Sequence, residues 1–246
     1  MICRPRVFHR TRELIIGLSI FFTLPICSQV AASAEHNENL SITEAVSVVE
    51  KWQDAVDKLH GYSCLLVYRE QRNEKQSNLS FLTLRVSHEP LDVRAVVVWP
   101  PDERGVTYHF DGKRTQYSRP PTPSEIERLE RNRTVVPQSL PIQIDRCHLE
   151  SLVRRCRAII NDSKPTAVNV TTFDNAAINK DVVSCMEITF VDRHDHPDFS
   201  RIRIFYNSST FVPIRCETYG WPEVRLQDLP LIEELTFLNF EKHERK

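Results

Sequence analysis

Residues 201–222, RIRIFYNSSTFVPIRCETYGWP, constrain this chain more than any other stretch. Ile202 and Ile204 alternate with Arg201 and Arg203, and Tyr206 keeps the spacing beyond Phe205. A polar turn follows at 207–210, and then Val212, Ile214 and Cys216 alternate with Pro213, Arg215 and Glu217. Period two on both sides of a short loop is the pattern of a β-hairpin, because successive side chains of a strand point to opposite faces. The other alternating segments are suited to pair beside it.

Those segments recur along the chain. Residues 62–71 place Tyr62, Cys64, Leu66 and Tyr68 on one face and Leu65 and Val67 on the other, which predicts a strand covered on both sides. Further strands are expected at 79–88, with Leu82, Leu84 and Val86 inward, at 93–99, at 106–110 and at 114–118. Asp111-Gly112 between the last two is the favoured pair for a type I′ turn. After residue 165, strands resume at 167–173, 181–192 and 231–240. Two helices interrupt them. Ser41 and Glu44 form a capping box before a helix predicted over 42–60, whose inner stripe is Ile42, Ala45, Val49, Trp52, Val56 and Leu59. Asp145 is placed to cap a second helix, with Leu149, Leu152, Val153, Cys156, Ile159 and Ile160 as its stripe. The fold class that follows is α+β: a curved antiparallel sheet of about nine to eleven strands with two main helices packed against it.

The N-terminus carries the clearest signal of compartment. Arg4, Arg6, Arg10 and Arg12 precede an apolar run over 14–26, and Ala32-Ser33-Ala34 offers a cleavage site. This is the three-part form of a secretory signal peptide at 1–34, and the run is short for a membrane span of about 20 residues. An uncleaved anchor is the alternative. Lipidation at Cys27 is disfavoured by Ile26 in front of it. Loss of 1–34 removes four arginines and Glu13 from totals of 32 basic and 33 acidic residues, leaving 28 and 32, a net −4. A polar tether at 35–40, one domain at 41–240 and a charged tail at 241–246 complete the organisation. Within the domain, residues 119–141 hold five prolines and read as a lid or excursion bearing a short helix, or as a disordered loop.

Several chemistries find little support. With five glycines in 246 residues there is no phosphate-cradling loop, and near-neutral charge gives no footprint for nucleic acid. The cluster at 192–198, with His194 and His196 between carboxylates, has the residue types of a zinc or copper site but no second ligand group at a fixed spacing, so a solvated turn is expected. Cys147-His148 has the residue types of a thiol nucleophile, but neighbours on a helix point apart. No catalytic residue, cofactor or metal ligand is therefore assigned. Export permits disulfides among Cys64, Cys147, Cys156, Cys185 and Cys216. Cys64 with Cys185 is the preferred pair, against five buried free thiols; Cys147 and Cys156, about 13.5 Å apart on a continuous helix, are too distant.

Residues 61–70 (GYSCLLVYRE), 84–90 (LRVSHEP), 212–222 (VPIRCETYGWP) and 231–237 (LIEELTF) resemble an uncharacterised bacterial, planctomycete-type domain-of-unknown-function family, over roughly 41–240. That family is similar to the LolA- and LolB-like periplasmic lipoprotein carriers. The resemblance implies an unclosed antiparallel barrel with helices over its concave side and an acyl chain or lipid within. The sequence departs from the pattern at 119–141 and at Cys216, where an aromatic is usual. The reading is a non-catalytic exported protein binding a lipid or lipoprotein acyl chain, with Leu66, Tyr68, Leu84, Val97, Trp99 and Ile204 as lining residues. The alternative is an envelope structural or protein-interaction module with a filled core, presenting the 119–141 segment and Trp221-Pro222 to a partner.

Overall fold

The computed structural model describes residues 37–72, 75–76, 79–120, 142–164, 166–178, 181–223 and 228–243. The expected leader at 1–34 and the helix expected within 119–141 lie outside these residues. Among these described residues twelve strands form one antiparallel system: β1 (Asn37–Leu40), β2 (Gly61–Arg72), β3 (Lys75–Gln76), β4 (Ser80–His88), β5 (Leu91–Trp99), β6 (Thr107–Phe110), β7 (Thr115–Ser118), β8 (Val168–Ile178), β9 (Asp181–Phe190), β10 (Arg201–Tyr206), β11 (Pro213–Tyr219) and β12 (Leu231–Lys242). Their order is β1-β8-β9-β10-β11-β12-β2-β4-β5-β6-β7, with β3 attached to β2. Two meanders, β2 to β7 and β8 to β12, are thus joined by one seam in which β12 pairs β2, for example Leu235 opposite Tyr68 and Phe237 opposite Leu66.

Helix α1 (Ile42–Asp57) begins as its capping box requires: the Glu44 amide donates to Ser41 Oγ at 3.3 Å, and the Ser41 amide donates to Glu44 Oε2 at 2.8 Å. It ends three residues earlier than expected. The Leu59 amide closes a tight turn on the Val56 carbonyl at 2.9 Å, which swings Leu59 into the core. Gly61 then enters β2 so close to β4 that a Cβ there would lie 2.6 Å from the Val86 carbonyl oxygen. Helix α2 (Leu149–Asp162) has His148 at its N-cap position without a side-chain capping bond, and Asp145, the expected cap, sits in a preceding 3-10 turn (Ile144–Arg146). Its stripe Leu149, Leu152, Val153, Cys156 and Ile160 is buried.

The sheet is bent and unclosed. Laid flat, its eleven strands would span about 48 Å at ~4.8 Å per strand, whereas two helices cover only ~20 Å. Yet one continuous apolar core, containing both helix stripes, reaches from Val170 on β8 and Ile188 on β9 to Tyr108 on β6. Only curvature around the helices brings those strands into one core. The edge strands β1 and β7 do not pair with each other. A second, smaller cluster of Ala176, Ile178, Val183, Cys185 and Phe205 lies on the outer face of β8 to β10, where a bulge at Asp174-Asn175 bends β8.

Other expectations need correction. Part of the polar tether, Asn37–Leu40, is a strand paired with β8. The 241–246 tail begins inside β12, which runs to Lys242, and the His243 amide still bonds the Gly61 carbonyl at 2.9 Å. The Asp111-Gly112 turn is not type I′: only Gly112 has positive φ, and Asp111 Oδ1 accepts from the amides of Lys113 and Arg114 at 2.9 and 2.7 Å. All five described cysteines are free and buried. Cys64 belongs to the inner core on β2 and Cys185 to the outer cluster on β9, four strand spacings or about 19 Å away, far beyond the ~7 Å a disulfide tolerates.

Candidate functional site

Five of the six expected lining residues face the helices. Leu66, Tyr68, Leu84, Val97 and Ile204 share the inner core at 0%, 4%, 1%, 1% and 0% exposure. A side chain beside a void that admits water would have accessible area, so Leu66, Leu84, Val97 and Ile204 border essentially none. Facing them, Trp52, Leu149, Leu152 and Cys156 are sealed to the same degree. Trp99 is the exception, at 50% exposure. Leu82 pairs Val97 but Phe81 pairs Trp99, so Val98 is an extra, bulged residue and Trp99 is turned to the outer face.

The inner face ends in an open cleft of about 260 Å³. Its floor is a row across four strands, Glu70–Glu233–Thr218–Ile202, fixed by cross-strand register. Two carboxylates directly opposite one another repel, and Arg155 of α2 answers them with a 2.6 Å ion pair to Glu233. Tyr68 OH donates to Glu70 at 2.6 Å. Phe199 and Ile232 supply apolar wall, and Arg146 and Asp198 line the rim.

A second polar cluster holds the start of α2 against β4. Glu150 bonds His88 of β4 through one oxygen and His148 Nδ1 at 2.8 Å through the other. Burial alone would raise the Glu150 carboxyl, but the two imidazole hydrogen bonds hold it down at about 2. Burial opposes the proton on His88, yet Glu150 raises its pKa above the ordinary value. The adjacent Tyr62 hydroxyl accepts the Leu149 amide at 2.9 Å. Cys147 is not activated by this histidine: its thiol donates to the Gln143 carbonyl at 3.3 Å and burial pushes it well up.

The 192–198 cluster is a turn. Asp192 Oδ1 accepts the His194 amide at 2.8 Å, and the His196 ring packs on Phe190 and Phe199 with centroids 4.4 and 3.8 Å away. The described residues contain no group of three or more His, Cys, Asp or Glu side chains arranged to hold a metal. Trp221, expected at a partner surface, is half-buried against the core and donates Nε1 to the His196 carbonyl at 2.8 Å.

The outer face divides in two. Across β9 to β2 runs a register-matched charge row, Glu187–Arg203–Glu217–Glu234–Arg69. Within it Arg203 pairs Glu187 at 2.6 Å, and the neighbouring Arg215 reaches both Glu217 and Glu234. Beyond it, on β5, Val96 and Val98 are 38% exposed and stand beside Trp99. The charge row is visible in the sequence as outward positions of alternating strands; the helix-to-strand histidine cluster is not, because its members lie 62 residues apart.

The solved structures that match the chain share little sequence with it. An uncharacterised conserved protein from Thermus thermophilus has 6% identity and a TM-score of 0.45, covering 82% of this chain and 90% of that one. The Mycobacterium tuberculosis lipoprotein LppX has 13% identity and a TM-score of 0.44, covering 82% and 98%. A LolA superfamily protein from Nitrosomonas europaea has 13% identity and a TM-score of 0.30, covering 84% and 96%. No curated protein matches the chain. Of the four segments that carried the expected resemblance, 61–70 and 84–90 lie outside the family match and 212–222 and 231–237 inside it: residues 142–245, from the turn before α2 to the end of β12, match DUF1571, described as a protein of unknown function.

Proposed function

We propose that this protein is a non-catalytic, exported component of the cell envelope that works through its outer surface around a filled interior. The observation that carries this reading is the sealed contact between both helices and the sheet, with Leu66, Leu84 and Ile204 at 0–1% exposure. The apolar outer patch of β5, Val96, Val98 and Trp99, is the surface offered to an envelope protein partner. In this reading the candidate nucleophile is inert: the Cys147 thiol donates to the Gln143 carbonyl and burial pushes its pKa well up.

One observation favours a second reading, carriage of a lipid or lipoprotein acyl chain. The cleft beneath Arg155 leads from solvent onto Ile202, Phe199 and Ile232 at the end of the apolar core. A chain entering there must displace α2, gaining about 0.8 kcal/mol per buried methylene. Native mass spectrometry of protein isolated from membrane-containing lysate separates the two. The filled-core reading expects the bare polypeptide mass, and α2 amides whose hydrogen exchange is unchanged by the uncharged acyl ester monolaurin. A stoichiometric lipid, with α2 losing protection when monolaurin is added, would establish the carrier instead.

A further inference from the structure

The flank of α1 carries a basic cleft unrelated to the interior. It encloses about 290 Å³ between the C-terminal half of α1, the β10–β11 turn and the end of β12. Lys51 comes from the helix, Lys58 is its C-cap residue and Lys242 ends β12. All three are exposed, and among the described residues no carboxylate lies within ion-pair reach of them. Asp54 is the one acidic residue in the lining, so the walls carry a net +2 in a chain whose net charge is −1.

The floor is carbon: Leu59, Val212 and the ring of Phe211. That ring is placed by an unusual backbone. Phe211 has φ of 58°, rare for a bulky residue, and its amide is tied to the Asn207 carbonyl at 2.8 Å. It stacks on Tyr206 with centroids 5.8 Å apart, Tyr206 rests on Trp52 at 5.3 Å, and Lys51 Nζ lies 5.2 Å over the Phe211 ring. Three ammonium groups around one aromatic-floored hollow match a ligand with a compact anionic head and an apolar group beside it. A long polyanion fits less well, because the positive surface is confined to one small cleft.

We infer that this cleft binds the carboxylate or phosphate head of an anionic amphiphile, with its apolar portion against Phe211 and Leu59. The site lies outside the sealed interior, so it stands or falls separately from the proposed function. The test is calorimetric titration of the chain from residue 35 onward with dodecyl phosphate below its micelle concentration. Dodecyl maltoside and inorganic phosphate are run in parallel. One saturable site is expected for dodecyl phosphate, weakened by added salt and bound at least roughly tenfold more tightly than either control. The double variant Lys58→Glu, Lys242→Glu reverses the lining charge and should lose roughly tenfold or more in affinity. Lys113→Glu with Lys164→Glu, exposed lysines elsewhere, changes net charge equally and should leave binding intact. Vesicles with and without an anionic phospholipid tell a membrane headgroup from a soluble acid, and binding by either source, lost in the Lys58/Lys242 variant, supports the inference. Equal binding of dodecyl maltoside, equally tight binding of inorganic phosphate alone, or full retention by a folded Lys58/Lys242 variant would overturn it.

Discussion

Replacing Glu150 by glutamine removes the charge that His88 and His148 share, while keeping the size of the side chain. The carboxyl is held at about 2 against an ordinary 4.5, and its side chain is only 15% exposed, so solvent screens it little. The difference corresponds to about 3 kcal/mol of stability in the ionised state. Its sign follows from the direction of each pKa. Glu150 is depressed, so its contribution is complete above 4.5 and is lost as pH falls through about 2. His88 is raised above 6.5, so its contribution is complete below 6.5 and fades as pH climbs through its folded value. The stability gap between the natural protein and Glu150→Gln should therefore form a plateau between about pH 4.5 and 6.5 and shrink on both sides. Urea unfolding followed by far-ultraviolet circular dichroism from pH 2.5 to 9 measures it. A gap of the same size at every pH would show that the cluster acts by packing alone and would refute the electrostatic reasoning.

Ser41→Ala removes the cap of α1 and should cost about 1 kcal/mol by thermal or urea unfolding. Leu66→Ala opens a hole in the sealed core and should cost about 2–5 kcal/mol, whereas Trp99→Ser, on the outer face, should change stability by less than about 0.5 kcal/mol; similar costs at the two positions would contradict the bulge at Val98. The denatured chain from residue 35 onward should titrate five thiols with or without reductant, and a value of three without reductant would reveal a disulfide.

Much of the architecture was readable because it depends on local periodicity. Helix α1 declares itself through Ser41, Glu44 and a stripe at helical spacing, and β10 through the alternation of Ile202 and Ile204 with arginines; in β11 the expected face of Val212, Ile214 and Cys216 is broken, because the register slips opposite Phe205 and Tyr206 and Ile214 packs on the outer cluster. What escaped depends on contacts that leave no local trace. The strand Asn37–Leu40 is almost wholly polar, and only its partner β8 makes it a strand. The inserted Val98 looks like one more residue of an apolar run, yet it reverses the face of Trp99. The basic cleft gathers Lys51, Lys58 and Lys242 from a helix and from a strand some 180 positions later, and nothing in either segment announces the other.

The seam between β2 and β12 sets the order in which this molecule can be completed. During synthesis the chain emerges from its N-terminus, so the first meander must wait with the edge of β2 open until the last strand arrives. An unsatisfied edge of that length invites pairing with a second chain, which makes the interval before closure the moment of greatest exposure to aggregation. A nonsense mutation just upstream of Leu231 would make that interval permanent. It would strip one strand from the middle of the sheet, leaving both meanders with raw edges and the Arg155 side chain of α2 without Glu233.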